Sequence, residues 1–252
     1  MKSMKWYLLV FVLMLITSLV AHIPAAWVYA QMPTQRGIEV TGMSGTIWQG
    51  QVQQLKVNRQ SYGSVSWDLQ ASKLLTAKLE YQVRFGRGSS IKLDGKGFVG
   101  ASFSGLYANN VLASMPIQQV MTYVPTQVPV ELKGRVELSL TSLKYAQPWC
   151  EEAKGSIAWT GSDIVSPIGQ LTPGPVIADI TCQAQNIEVQ GKQNNSQVSS
   201  EFKASLNEQA RYQSMAWFKP GAEFPSSMAE QLKWLGEPNA QGRYQFSFAG
   251  KL

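Results

Sequence analysis

Lys78-Leu79-Glu80-Tyr81-Gln82-Val83-Arg84-Phe85 alternates without a fault: Leu79, Tyr81, Val83 and Phe85 fall on one side of an extended chain, and Lys78, Glu80, Gln82 and Arg84 on the other. Period two means a β-strand with one apolar and one wet face, because successive side chains of a strand point to opposite sides. The pattern recurs over Val130 to Leu140, where Val130, Leu132, Val136, Leu138 and Leu140 oppose Glu131, Lys133, Arg135, Glu137 and Ser139. It returns over Val198 to Leu206 and Tyr244 to Leu252. Between these runs, Gly86-Arg87-Gly88 and Asp94-Gly95 read as tight hairpin turns and Gly191 to Ser196 as a polar loop. The fold class is therefore mainly β, an antiparallel, curved sheet with a few short helices. Pro116 leads into a helix over Ile117 to Tyr123, and Pro225 opens another that carries Met228, Leu232 and Leu235 on one stripe until Gly236 and Pro238 stop it.

Upstream of the sheet, Trp6 to Ala30 runs for 25 positions without a charged side chain, directly behind Lys2 and Lys5. As one helix it would reach roughly 37 Å, enough for a hydrocarbon core of about 30 Å. The expectation is a single transmembrane anchor, marked by Trp6, Leu13, Val20 and Trp27, with the lysines cytoplasmic and residues 31–252 on the far side. Val28-Tyr29-Ala30 is also an acceptable signal-peptide cleavage site, which leaves removal of the segment as the alternative. Cys150 and Cys182 both lie in the exported part, where an even pair forms a disulfide or stays as two buried thiols. Without Lys2 and Lys5, the chain's +6 falls to +4, 20 basic against 16 acidic residues. The basic residues are scattered singly, which argues against a nucleic-acid partner.

Gly45-Thr46-Ile47-Trp48-Gln49-Gly50 has an echo in Gly155-Ser156-Ile157-Ala158-Trp159-Thr160-Gly161, each reading as a glycine, a short strand with tryptophan, and a glycine. The echo suggests an organisation of 1–30 (cytoplasmic start and anchor), 31–145 (first β sub-unit) and 146–252 (second β sub-unit, with the cysteine pair); chance spacing of Gly and Trp is the competing reading.

Catalytic patterns are hard to find. The only histidine is His22, inside the anchor, so the exported part has no imidazole for general base work or metal binding. Gly42-Met43-Ser44-Gly45 lacks the spacing of a nucleophile elbow, and Glu151-Glu152 point to opposite faces of a strand. The glycines at 86, 88, 95, 97 and 100 precede no helix that could cradle a phosphate. No catalytic residue, cofactor or metal site is assigned.

With these residues in view, the chain resembles the protein N family of the bacterial type II secretion system. The resemblance rests on the anchor and then, in order, Gly42-x-x-Gly45-Thr46-x-Trp48-x-Gly50, Trp67-x-Leu69 and Cys150 with Gly155-x-x-x-Trp159. Cys182, Leu232-x-Trp234-Leu235-Gly236-x-Pro238, Gly242-x-Tyr244 and the ending Gly250-x-Leu252 complete it. Gly45, Trp48, Gly50, Trp67, Gly155, Trp159, Trp234, Gly236 and Gly242 are its structural motif residues. It implies a non-enzymatic accessory component of the cell inner membrane, single-pass and facing the periplasm, that works with other secretion-system proteins in exporting folded proteins. The alternative is an envelope lipid-binding or lipid-transfer protein whose apolar β trough holds acyl chains. An exported hydrolase or glycan-binding enzyme is a third class, weakened by the missing histidine.

Overall fold

Proline decides how the chain begins. It lacks the N–H that a helix interior needs, so the apolar run cannot continue unbroken through Pro24. The computed structural model, which describes residues 2–31, 33, 37–122 and 130–251, has two helices here, α1 (Lys2–Ala21) and α2 (Ala25–Gln31). The expected single helix over Trp6 to Ala30 is thereby corrected. The apolar part of α1 from Trp6 to Ala21 reaches only about 24 Å, and among the described residues no helix is long and apolar enough to cross a membrane.

The alternating runs then become strands. In chain order they are β1 (Ile38–Gly45), β2 (Gln49–Val57), β3 (Gln60–Leu69), β4 (Leu79–Arg87), β5 (Asp94–Ser102), β6 (Gly105–Pro116) and β7 (Glu131–Lys144). After them come β8 (Glu152–Ser166), β9 (Gly169–Leu171), β10 (Val176–Gln183), β11 (Asn186–Asn194), β12 (Val198–Leu206), β13 (Arg211–Pro220) and β14 (Tyr244–Lys251). Short helices α3 (Ala71–Leu74), α4 (Ile117–Met121) and α5 (Ser226–Ala229) and a 3-10 turn at Leu232–Leu235 fill connections. Tyr123 and Leu252, expected at the ends of a helix and a strand, lie outside the described residues. The stripe of Met228, Leu232 and Leu235 is split between α5 and the 3-10 turn instead of lying on one helix.

All 14 strands join one antiparallel sheet whose order follows the chain, with the short β9 paired to β8. The register carries rows of side chains across the whole width. On one face the row Met43, Val52, Val65, Phe85, Gly95, Ala113, Leu138, Ile157, Ala178, Gly191, Phe202, Ala216, Phe246 is apolar at every strand. On the other, the adjacent row Gln51, Ser66, Arg84, Lys96, Leu112, Ser139, Ser156, Asp179, Gln190, Lys203 is almost wholly polar.

Among the described residues, no second layer covers the apolar face. The accessible surface is 17229 Å², against roughly 11,000 Å² for a compact monomer of this length. The face partly covers itself: aromatic rings lie over glycines of the neighbouring strand, so that a Cβ on Gly191 would sit 2.5 Å from the Phe202 ring and one on Gly50 equally close to Trp67. This leaves most of its Val, Leu and Ile side chains half-buried without a partner layer.

Three turn expectations are corrected. Asp94-Gly95 opens β5, and Gly86-Arg87 belongs to β4, where the register with β3 shifts between Ser64 and Val65. Gly191 to Asn194 extends β11, so the loop is shorter than Gly191 to Ser196. Two hairpin turns instead use Asn58-Arg59 and Ala184-Gln185, all four residues at positive φ, as the two-residue turns that match strand twist require.

Candidate functional site

The motif Gly45 to Gly50 does not form one short strand: Gly45 ends β1, Gln49-Gly50 open β2, and Thr46 to Trp48 make the turn between them, which ties the N-terminal helices to the sheet. The Trp48 indole N–H donates to the Val20 carbonyl at 2.8 Å, the Ile47 N–H donates to the Ile23 carbonyl at 3.1 Å, and Thr46 bridges Pro24. Trp67 closes the turn from β3, its indole donating to the Thr46 carbonyl at 3.1 Å while its ring covers Gly50. Gly45 stands at φ +90°, where a Cβ would strike the Gln49 carbonyl. A buried Ala25 completes the joint. Gly45, Trp48, Gly50 and Trp67 thus come together at one place, the base of α1.

Gly155 and Trp159 lie elsewhere, inside β8, with the Trp159 indole donating to the Lys133 carbonyl at 2.9 Å. Trp234 is exposed in the 3-10 turn, Gly236 ends that turn, and Gly242 precedes β14. On the helices, Trp6, Leu13, Val20 and Trp27 are all exposed.

Cys150 and Cys182 form a disulfide with Cα atoms 6.4 Å apart. With Ala153 they make the tightest buried cluster of the sheet, packed by Leu143, Trp149 and Ile187. Trp149 fastens the connection between β7 and β8 further, donating to the Asn207 carbonyl at 3.1 Å.

On the polar face Glu80 is buried and accepts from the Tyr107 hydroxyl at 3.0 Å, with the Lys73 ammonium 3.9 Å away. Burial, and then the Glu80 carboxylate as acceptor and as charge, hold the Tyr107 phenol above its ordinary range; burial alone raises Tyr81. The alternation had assigned Glu80 to a wet face without marking it as covered. Among the described residues no three His, Cys, Asp or Glu side chains gather as a metal site would require.

The same face holds a concavity of about 880 Å³, reaching from Gln51 of β2 to Ala158 of β8 and including Arg84, Arg87, Lys96 and Glu137. At the sheet's borders, α2 packs against β1, while β14 pairs only with β13 among the described residues. The aromatic row of β14 continues that of β13, with Phe218 stacked on Tyr244 at 5.2 Å and on Phe246 at 6.0 Å, and it ends in an exposed Phe248. These surfaces offer pairing and covering: among the described residues, an unpaired strand edge, an uncovered apolar face and a charged trough.

Residues 36–247 match the family model of type II secretion system (T2SS), protein N. The chain is 46% identical over 252 residues, the full length of both chains, to the type II secretion system protein N of Vibrio cholerae serotype O1. It is 30% identical over 237 residues, 93% of each chain, to that of Aeromonas hydrophila, and 24% over 235 residues to that of Pectobacterium carotovorum. No solved structure matches. A full-length likeness of this order, together with a family model spanning nearly the whole sheet, means that the chain belongs to the type II secretion system protein N family.

Proposed function

We propose that this chain is a non-enzymatic accessory component of type II secretion, held at the inner membrane by its N-terminal helices, with the sheet in the periplasm and neighbouring secretion proteins as its partners. The observation that carries the reading is the single-layer sheet itself, whose apolar face and β14 edge are left open among the described residues. Uncovered apolar surface and an unpaired edge are the physical means by which β proteins recruit another chain. The short apolar length of α1 suits a bilayer thinned locally around it, and Trp27 and Tyr29 of α2 suit headgroup depth. The Trp48 turn then serves as a rigid joint between membrane and sheet. Division of the sheet at the connection between β7 and β8, into 31–145 and 146–252, is part of the same reading.

The uncovered apolar face supports a second reading, envelope lipid binding, and one experiment separates the two. A photo-crosslinking amino acid at Phe248, exposed on the edge strand, is expected to give adducts of protein mass in membranes that resist carbonate extraction. Adducts of lipid mass alone favour the lipid reading, and release by carbonate favours cleavage after Ala30.

A further inference from the structure

We propose that the trough on the polar face is a binding site for an extended, acidic segment of a partner polypeptide; this deepens the partner-binding reading above and rests on it. Three cations line it. Arg84 of β4 and Lys96 of β5 are direct cross-strand partners on the same face. Like charges placed directly opposite one another destabilise a sheet, so the pair works against the fold. Neither residue, nor Arg87, has a carboxylate partner among the described residues.

Arg87 reaches this face only because of a local irregularity. Strict alternation from Phe85 would put it on the apolar side. The register shift between Ser64 and Val65 sets Arg87 opposite Ser64, and Gly86 at φ +105° makes the bend, a Cβ there being forbidden by the Leu93 backbone. Bulges that re-aim a side chain are features of binding surfaces. A bend that only glycine allows and an unfavourable charge pair thus converge on one concavity of about 880 Å³.

Asp94 also lines the trough but is ion-paired with Arg135 at 2.9 Å, and the far side carries Glu137, which has no cationic partner among the described residues. Charge therefore changes sign along the trough. A free phosphate would meet repulsion from Glu137, and acyl chains would find Leu112 as the main apolar side chain on this face. A polypeptide with carboxylates at one end and a basic group further on matches both ends, and arginine forks bind carboxylates in pairs.

The test is a fluorescence titration of the full chain in neutral detergent with a short capped peptide of alternating glutamate and serine that ends in lysine. Arg84→Gln and Lys96→Gln are each expected to weaken binding about tenfold, with Arg84→Lys falling between wild type and Arg84→Gln because it keeps the charge and loses the fork. Both Gln variants are expected to raise Tm, since each removes the like-charge pair. Glu137→Gln is expected to weaken the lysine-ended peptide and leave an alanine-ended one unchanged. Equal binding by wild type and variants, or a lowered Tm in both Gln variants, overturns the proposal. So does inorganic phosphate competing as well as the peptide, or binding only to anionic phospholipid vesicles. Loss of the Phe248 crosslink leaves these readouts intact, so the two readings fail separately.

Discussion

Glu80 and Tyr107 meet across two strands, and their fates are linked. A phenol held above its ordinary pKa of 10.0 favours the neutral form in the folded chain. Its contribution is complete below that value and is lost as pH rises past the folded one. Tyr107→Phe should therefore lower stability at neutral pH by about 1.5–3 kcal/mol, the range for a hydrogen bond to a charged group. It should also flatten the alkaline fall; urea unfolding at pH 7 and pH 11 measures both. The cysteines allow a second substitution. Closing a 32-residue separation restricts the unfolded chain by about 3.7 kcal/mol in the loop-entropy model. Cys150→Ser should lose roughly 2–4 kcal/mol, and reductant should bring the wild type to the variant's urea midpoint without moving the variant.

At the scale of elements, the pairing of a ring with a glycine replaces the second layer that a sandwich would supply. A Cβ on Gly191 meets the Phe202 ring at 2.5 Å and the Ala178 Cβ at 2.9 Å. Gly191→Ala should cost about 1–3 kcal/mol by overpacking, and adding Phe202→Leu should recover part of it, a coupling that a double-mutant cycle on thermal unfolding would read. Strands such as Val198–Leu206 were legible to the residue because Val198, Phe202, Ala204 and Leu206 mark one apolar face, broken only by Ser200. Turns were less so. Asn58-Arg59 and Ala184-Gln185 hold positive φ without the glycine that usually announces it, and Asp94-Gly95 looked like a turn although the strand begins there. Trp48 and Gly45 were visible as a motif, but their joint with Val20 depends on the break at Pro24. The charged trough stayed hidden, because Arg84 and Lys96 become neighbours only through register, and Arg87 joins them only through a bulge.

Across the whole molecule, each main strand pairs with the next one along the sheet, and nothing joins β1 to β14 among the described residues. Stability is then close to a sum over neighbouring strands, as in linear repeat proteins. Hydrogen exchange should find its strongest protection where the disulfide cluster sits, in β7 to β11, and its weakest in β14, which has one neighbour and no cap. Uniform protection from β1 to β14 would contradict this. Strand order that follows chain order also bears on how such a protein is made. A chain that leaves the ribosome N-terminus first presents β1 beside its helices before β2 has emerged, and each later strand finds its template already laid down. The sheet can grow like cloth from a loom, one thread at a time, with no distant end to wait for.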